Sequence, residues 1–386
     1  MQFAPSFGLS LGSIGRQKYH LVGLLHPILI GLSLGISISY FYKAGNDSSL
    51  EGTTVASLLP SPLQPPVRMA LVGTGFAAQR RAEALHADAR ARLVAVAGHT
   101  PDNTRELAQA YGARVAESWQ AAVADAEVDA IGIATVNRDH APIARAALEA
   151  GKHVVVEYPP ALDPDQAQGL VALARQRQLL LHVEHIELLG GVHQAVRRYL
   201  PEVGTPVYAR YLTLVAQQRT SRPWSYSHSL FGFPFSGALS RFHRLIDLFG
   251  TVRAVSCQAR YWPSADPDFY NACFCHAQLR FGSELIAEAG YGKGNAIGTS
   301  CRTLELHGTQ GTLVFEGSEG ALIRNGDHMP IEVESRRGLF ARDTTAFLDA
   351  LVGQQPLYLS PERSCYALQV SDAARRSAET GQTVAL

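Results

Sequence analysis

The sequence predicts an α/β protein with two folded domains. Over residues 67–186, short apolar runs alternate with Ala-rich helical stretches, which is typical of a parallel sheet with helices on both faces. From about Thr205, strand-like pieces are separated by Gly and Asn instead. The 386 residues are about twice the commonest domain size, and 46% of them are hydrophobic. We therefore expect an N-terminal parallel sheet, followed over residues 187–386 by an α+β domain with a large, mostly antiparallel sheet.

The first strand of the parallel sheet, residues 69–72, runs into a glycine-rich turn. The turn reads Gly73-Thr-Gly-Phe-Ala-Ala78. Gly73 permits a tight turn, and Gly75 lacks the side chain that would block a pyrophosphate. Ala78 lets the next helix pack closely and point its N-terminal N–H groups at the anion. The N-terminal sheet is thus predicted to be of the Rossmann type, with a dinucleotide phosphate site formed by Gly73, Thr74, Gly75, Phe76 and Ala77.

The second strand, residues 92–98, indicates which dinucleotide is bound. It ends in Gly98-His99-Thr100, where an NAD-preferring site would place an acidic residue on the ribose. No carboxylate is present there to repel a 2′-phosphate, so NADPH is the predicted cofactor. Five side chains can donate to that phosphate: His99, Thr100, Arg80, Arg81 and Arg105. A solvated surface position is the alternative for the arginines, and for Arg105 it is equally favoured.

Two later strands end in polar turns. Residues 128–135 lead into Thr135-Val-Asn137-Arg-Asp-His140, and residues 153–157 lead into Glu157-Tyr158-Pro159. Ligands of open α/β sheets bind at the carboxyl ends of the strands, so both turns are expected to face the cofactor. In this order after the glycine turn, the two motifs resemble those of the Gfo/Idh/MocA oxidoreductases. The resemblance implies that Thr135, Asn137 and His140 pack on the cofactor and that Glu157 lies beside the nicotinamide.

One difference from the family's motifs indicates which activity within the family this chain has. The family's Glu-Lys-Pro motif, whose lysine is tied to oxidation of sugar alcohols, is here Glu-Tyr158-Pro. This motif, with the runs 182–193, 231–234 and 291–294, resembles the biliverdin reductases, in particular those of cyanobacteria, over roughly residues 67 to 380. The resemblance implies reduction of biliverdin to bilirubin by hydride transfer from NADPH to the central methine carbon. A sugar or cyclitol dehydrogenase and a non-catalytic NADP-sensing module are the alternatives.

The second domain supplies the candidate substrate residues. Sugar dehydrogenases of the family carry an Asp-x-x-x-His pair in a helix, but residues 236–247 hold Arg241 and Arg244 and no such pair. Cations suit a substrate with propionate carboxylates, so Arg244 is predicted to bind substrate. Arg241 is expected to hydrogen-bond the pyrrole or lactam region and stabilise developing charge, and Tyr158 to hydrogen-bond or shape the pocket. Pairing of both arginines with surface carboxylates is the alternative.

The histidine-rich run 182–187 contains four residues of metal-ligand type. Residues three apart on a strand point to opposite faces, and hydride transfer to a conjugated methine needs no metal. We predict no metal site, and expect Glu184 and His185 to line the cleft between the domains.

Strands of the second sheet are predicted at residues 207–215, 252–261, 272–281, 285–291, 303–307 and 312–315, with hairpin turns at 308–311 and 317–320. Helical patterns return at residues 342–351 and 362–380.

Composition argues against a nucleic-acid-binding protein and against a secreted protein held together by disulfides. Lys+Arg and Asp+Glu are 34 each, so nucleic-acid binding by phosphate neutralisation is not expected. Five cysteines without C-x-x-C spacing fit a reducing compartment, and we predict a cytoplasmic enzyme. Cys273 and Cys275 are expected to be buried thiols on one side of a strand. The sequence leaves the oligomeric state, the bilin isomer and the number of bilins open.

Residues 1–66 form an extension with its own character. Residues 21–42 contain no Asp, Glu, Lys or Arg and are long enough to span a bilayer, and a Pro- and Ser-containing linker follows. Basic residues before the span weakly favour an inside N-terminus, which would separate the enzyme from its reductant. We therefore expect a dispensable extension from an upstream gene start, with the working protein beginning close to Met69. A membrane anchor through residues 21–42 is the alternative.

Overall fold

The computed structural model describes residues 61–217 and 223–386. The apolar run at residues 21–42 lies outside this part of the chain. Within it, none of the helices combines the length and the apolar character that crossing a membrane requires.

The first sheet contains six parallel strands in the order β3-β2-β1-β4-β5-β6. They are β1 (Val67–Val72), β2 (Ala91–Ala97), β3 (Arg114–Val115), β4 (Ala130–Ile133), β5 (His153–Val156) and β6 (Leu181–Val183). The connecting helices are α1 (Phe76–Ala87), α2 (Pro101–Ala110), α3 (Trp119–Ala124), α4 (Asn137–Glu149) and α5 (Pro164–Arg177). The chain changes its winding direction between β1 and β4, which is where open α/β sheets bind ligands. The predicted Rossmann-type sheet is confirmed.

Local sequence explains how these helices begin. α2 and α5 start with Pro101 and Pro164, whose missing N–H groups would have had no helical partner. Asp163 caps α5 by accepting a hydrogen bond of 2.7 Å from the Asp165 N–H. α1 differs, because Gly75 at its N-cap provides no side-chain acceptor and its first turn has no acidic residue. Its N-terminal N–H groups therefore remain available to a ligand.

The second sheet has nine strands in the order β14-β13-β12-β11-β7-β10-β9-β8-β15. They are β7 (Pro206–Ala216), β8 (Val252–Pro263), β9 (Tyr270–Phe281), β10 (Ile286–Gly294), β11 (Cys301–Gly308), β12 (Thr312–Glu316), β13 (Glu319–Arg324), β14 (Asp327–Ile331) and β15 (Val384–Ala385). Within this sheet, only β7 and β10 pair in parallel among the described strands, so the mostly antiparallel sheet is confirmed. β13, β14 and β15 lie outside the predicted strands, since β13 and β14 contain polar residues without a clear alternating pattern and β15 has only two residues.

Seven helices accompany this sheet in the described part of the chain: α6 (Ile186–Leu189), α7 (Gly191–Tyr199), α8 (His228–Phe231), α9 (Pro234–Gly237), α10 (Ser240–Phe249), α11 (Leu339–Leu351) and α12 (Pro361–Thr380). Alternate residues of β9 are buried, which gives the sheet one apolar face. Cys273 and Cys275 lie on that face and are fully buried, as predicted.

The C-terminal half contributes to the core of the first domain. Phe347 and Leu348 of α11 belong to the same buried cluster as Val67 and Leu85. Before β1, the Leu63 N–H donates to the Leu351 carbonyl at 2.8 Å, and Leu63 packs against this cluster. The folded part therefore uses residues ahead of Met69, where the sequence had suggested a linker.

Candidate active site

A cleft of about 1740 Å³ lies at the carboxyl ends of the parallel strands. Its first-domain wall comes from the turns after β1, β2, β4 and β5. Its second-domain wall includes Trp224, Leu230 and Gly237, together with residues 336–341 at the start of α11. Such a volume can hold a dinucleotide and a further ligand at the switch point of the sheet.

The glycine turn has the geometry of a phosphate cradle. Gly73 has φ 118°, and a Cβ there would clash with the Ala134 carbonyl. A Cβ on Gly75 would meet nothing within 4 Å, because it would project into the open cleft. Thr74, Phe76 and Ala77 line the cleft beside it. The free N-terminus of α1 and the open space at Gly75 fit the pyrophosphate of a dinucleotide.

At the ribose end, the structure separates the predicted donors. His99 and Arg80 line the cleft, and the Arg80 guanidinium lies 5.7 Å from the Phe76 ring centroid. Thr100 instead caps α2, and its carbonyl accepts a hydrogen bond of 2.8 Å from the Thr104 hydroxyl. Arg105 is exposed and pairs with Asp102 of its own helix. The structure therefore brings His99 and Arg80, but neither Thr100 nor Arg105, to the wall.

Arg81 is a correction, because it cannot donate to a 2′-phosphate. It is 1% exposed and donates to Asp343 at 2.9 Å and to Glu157 at 3.2 Å. Asp343 also lies 2.7 Å from the His182 ring and accepts a hydrogen bond from Tyr358. Although burial opposes ionisation, His182 and Arg81 hold the pKa of Asp343 below its ordinary value. Arg81 thus joins α1 to α11 behind the residues that line the cleft.

A carboxyl with a raised pKa lies next to this network. Glu184 is 1% exposed, lines the cleft and accepts a hydrogen bond of 2.6 Å from the Ile186 N–H. Burial, and then the neighbouring Glu157 and Asp343 carboxylates, raise the pKa of Glu184 well above its usual range. Arg81 pairs with two of these carboxylates, Glu157 and Asp343, and their negative charge favours the protonated form of Glu184.

The turn after β4 links the two domains. Thr135 and Asn137 line the cleft, and the Asn137 amide donates to the Phe231 carbonyl of α8 at 3.0 Å. The buried His140 ring lies 2.8 Å from the Pro159 carbonyl and 3.2 Å from the Thr135 carbonyl, so it ties this turn to the one after β5. Burial lowers the pKa of His140.

Tyr158 and Arg241 meet through Ser240. Tyr158 lines the cleft and its hydroxyl donates to the Ser240 hydroxyl at 3.4 Å, while Arg241 donates to the same oxygen at 3.0 Å. Burial raises the pKa of Tyr158 to about 12, so the phenol stays protonated. The Arg241 guanidinium lies 4.9 Å from the Tyr291 ring centroid. No carboxylate of the described residues forms an ion pair with Arg241, so surface pairing does not explain it.

His185 lies beneath Tyr158, which differs from the expectation that it lines the cleft. Its ring stacks on Tyr158 at 5.2 Å and on His243 at 4.0 Å, and it contacts the Ser364 hydroxyl at 3.0 Å. Burial lowers the pKa of His185 well below its usual range and that of His243 to about 3. Both rings are therefore neutral supports for the Tyr158 ring.

Arg244 is buried and donates to the Glu187 carboxylate at 3.1 Å, with its guanidinium 5.2 Å from the Tyr211 ring centroid. It lines a second cavity of about 410 Å³, and Glu187 lines both this cavity and the main cleft. The alternative of a surface ion pair is wrong for Arg244, because its partner is itself buried.

Several residues that line the cleft carry no strong signal in the sequence. Trp224, Leu230 and Phe340 supply apolar surface, and Arg336 and Arg337 supply charge. Only the pair of arginines before Gly338 offered a signal, since a basic turn ahead of a helix can meet an anionic ligand. In residues 61–217 and 223–386, no group of three His, Cys, Asp or Glu side chains is arranged to hold a metal ion.

Comparison with known proteins agrees with this geometry. One family model, an oxidoreductase family with an NAD-binding Rossmann fold, matches residues 67–185, and the C-terminal alpha/beta domain of the same family matches residues 202–386. Biliverdin reductase from Synechocystis sp. PCC 6803, solved with biliverdin and NADP⁺, is 48% identical. The match covers 81% of this chain and 99% of that protein, with a TM-score of 0.80.

More distant relatives include both reductases and dehydrogenases. Biliverdin reductase A of Mus musculus is 28% identical over 281 residues, which are 71% of this chain and 81% of that protein. Inositol 2-dehydrogenase of Rhizobium meliloti is 25% identical over 327 residues, which are 81% and 96% of the two chains. The resemblance that the motifs indicated is thereby confirmed. The chain belongs to the Gfo/Idh/MocA oxidoreductase family, as an NAD(P)-dependent oxidoreductase whose structure is like that of a biliverdin reductase.

Proposed function

We propose that this protein reduces biliverdin to bilirubin with NADPH, by hydride transfer to the central methine carbon of the linear tetrapyrrole. The observation that carries the proposal is the chemistry of the wall where the nicotinamide would lie. Tyr158 and Glu184 line the cleft there with pKa values raised above their ordinary range, and Arg241 donates to the Ser240 hydroxyl that Tyr158 also contacts. The 48% identity to a reductase solved with biliverdin and NADP⁺ supports the same substrate.

Oxidation of an alcohol and reduction of a bilin make opposite demands on this wall. An alcohol oxidation needs a general base that accepts the hydroxyl proton. Glu157 is engaged by Arg81, and the His185 and His243 rings are stacked beneath Tyr158. A bilin reduction instead adds a hydride to carbon and a proton to nitrogen. Proton donors and a cation suit that reaction.

The chain's own residues divide the work. When bound, the dinucleotide supplies the hydride, while the protein orients the two reactants and manages charge. Arginine has a pKa above about 12, so Arg241 is a poor proton donor. We assign it hydrogen bonding to the pyrrole or lactam region and stabilisation of developing charge. Tyr158 shapes the pocket, and Glu184, whose raised pKa favours the protonated form, supplies a proton, directly or through water.

The cofactor preference follows from the ribose end. His99 and Arg80 line the cleft there, and the chain has no carboxylate at the end of β2. A 2′-phosphate would therefore meet donors and no carboxylate at the end of β2, which favours NADPH over NADH.

One assay separates the candidate functions. Purified full-length protein is mixed with NADPH and biliverdin, and the loss of the bilin's red absorbance is followed. We expect stoichiometric conversion to bilirubin with NADPH oxidation. NADP⁺ reduction with inositol or other polyols, in the absence of bilin turnover, would indicate a dehydrogenase. Tight NADPH binding without turnover of either substrate class would indicate a sensing module.

A further inference from the structure

A second cavity, of about 410 Å³, lies beyond Glu187 on the side away from the first domain. Its floor is apolar and comes from Tyr211, Leu304 and Phe315 of the large sheet. Glu187 and Arg336 line both this cavity and the main cleft, so the two spaces adjoin at these side chains. The cavity is thus within reach of a ligand that occupies the cleft.

The cavity has a surplus of positive charge. Glu187 pairs with Arg336 at 2.6 Å and with Arg244 at 3.1 Å, and Arg302 lies 3.8 Å away. Three guanidinium groups therefore surround one carboxylate. Glu334 also lines the cavity, but it is 75% exposed and faces Arg342 at 3.5 Å. The net charge around the cavity favours an anionic ligand.

One of these arginines has unused donor capacity. Arg244 is 2% exposed, and its Nε has no hydrogen-bond partner among the described residues. A buried charged donor without a partner is costly, so a group that accepts its hydrogen would be stabilising. Arg302 is the least firmly held of the three, since it is 36% exposed and its distance to Glu187 exceeds a hydrogen bond.

We propose that this cavity binds a carboxylate arm of the substrate, with Arg244 and Arg302 as the groups that hold it. The inference rests on the proposed function, because biliverdin carries two propionate arms on a conjugated body. The body would lie in the main cleft beside Tyr158, and one arm would pass Glu187 into the cavity. Guanidinium groups match carboxylates with paired, charge-assisted hydrogen bonds.

The test compares biliverdin with its dimethyl ester, which has the same body and no negative charge. Both are titrated by absorbance into full-length protein saturated with NADP⁺, so that no turnover occurs, at constant ionic strength. We expect wild type to bind the diacid at least about tenfold more tightly than the diester, as for one charge-assisted contact. In Arg302→Gln this ratio should fall by about threefold or more, because Arg244 alone remains to hold the arm, with diester binding unchanged.

Arg324→Gln is the matched control, since Arg324 is 33% exposed, pairs with Glu202 and lies outside the cavity lining. It should keep the wild-type ratio. Equal weakening of both ligands in Arg302→Gln, or an unchanged ratio, would overturn the proposal. So would stabilisation of wild type, but not of Arg302→Gln, by submillimolar inorganic phosphate alone, because the cavity would then serve a free anion.

The titration is independent of turnover. If the wild-type protein reduces biliverdin but binds the diacid and the diester equally well, the proposed function stands and the proposed carboxylate site is wrong. If the protein binds the diacid more tightly than the diester but does not reduce biliverdin, the proposed carboxylate site stands and the proposed function is wrong. Binding of neither ligand would overturn both.

Discussion

Arg241 and Arg244 lie three positions apart in α10, yet their surroundings differ. Arg244 is compensated by the buried Glu187 carboxylate. Arg241 contacts the Ser240 hydroxyl and the Tyr291 ring, neither of which carries a negative charge. A guanidinium without an internal counter-ion can interact with charge that develops on a substrate.

We therefore expect Arg241→Ala to lower kcat by roughly 10²-fold or more, the loss typical of removing one preorganised donor. NADPH affinity should change little, because Arg241 belongs to α10 of the second domain and is not among the residues that line the cleft. Arg241→Lys should restore only part of the rate, since lysine keeps the charge and loses the planar fork. Steady-state kinetics and NADPH titration measure both effects. Unchanged turnover in Arg241→Ala would assign the residue a packing role.

The ribose end makes a second residue-scale prediction. His99 faces the cleft, whereas Thr100 caps α2, so a carboxylate acts on the cofactor at His99. His99→Asp should shift the NADPH to NADH ratio of kcat/KM toward NADH by on the order of tenfold, because the new charge repels a 2′-phosphate. Thr100→Asp is the control and should shift the ratio less. An equal or larger shift in Thr100→Asp would place the phosphate against α2.

Buried histidines make stability depend on pH. The His243 pKa is about 3 in the folded protein, against an ordinary value of about 6.5. The unfolded chain therefore binds more protons between these pH values, and stability falls as pH decreases from about 6.5 toward 3. His243 contributes at most about 1.4 kcal/mol per pH unit in this window. His243→Phe should flatten the decline of urea-unfolding free energy between pH 7 and 5, and an unaltered slope would contradict this assignment.

At the scale of the element, the glycine turn before α1 contains one glycine that the fold requires and another that ligand binding requires. Gly73 is needed by the fold, since its φ is 118° and a Cβ would clash with the Ala134 carbonyl. Gly75 has φ −75° and open space around it, so its lack of a side chain serves a ligand. Two glycines of one motif thus have separate physical causes.

Substitution by alanine should separate these roles. Gly75→Ala should leave the free energy of unfolding within about 1 kcal/mol of wild type, and weaken NADPH binding by about tenfold or more, because its methyl group occupies the phosphate space. Gly73→Ala should cost about 1–3 kcal/mol from backbone strain, with additional cost from the clash. Chemical unfolding and NADPH titration distinguish the two. Loss of stability in Gly75→Ala with full NADPH affinity would reverse the assignment.

At the scale of the whole molecule, the first domain is completed by distant parts of the chain. α11 packs on α1, and Arg81 of α1 binds Asp343 of α11. Leu63 joins the same cluster from the other direction. Both α1 and α11 contribute residues to the cleft, and α11 also binds Leu63 through the Leu351 carbonyl.

This arrangement predicts where the chain can be shortened. The sequence predicts that residues 1–66 are dispensable, but Leu63 belongs to the folded part, so we expect a protein starting at Ser61 to unfold at the wild-type temperature and keep full turnover. A start at Met69 removes Leu63, the buried Val67 and the Arg68–Asp129 ion pair. Full burial of Val67 stabilises by about 1.5–3 kcal/mol and the partly buried Leu63 adds less, so Tm should fall by several degrees. Equal Tm values for both proteins would show that residues 61–68 contribute little.

The sequence by itself determined those features that depend on chain neighbours. The glycine turn, the Asn137 and Tyr158 turns and the alternating strands each depend on residues within a few positions, so their patterns were legible. The family and both sheets followed from them. The same local patterns indicated Gly75 and His99 as cleft residues, and the structure places both on its wall.

Tertiary structure decided which charges meet. Arg81 looks like a cofactor donor in the sequence, but its partner Asp343 is 262 positions away. In the sequence, Glu187 is one carboxylate of the histidine-rich run 182–187. In the folded protein it pairs with Arg244 and Arg336, which are distant in the chain. Burial and distance set whether such groups are ionised, paired or free, because desolvation and Coulomb energies depend on surroundings that no local pattern encodes.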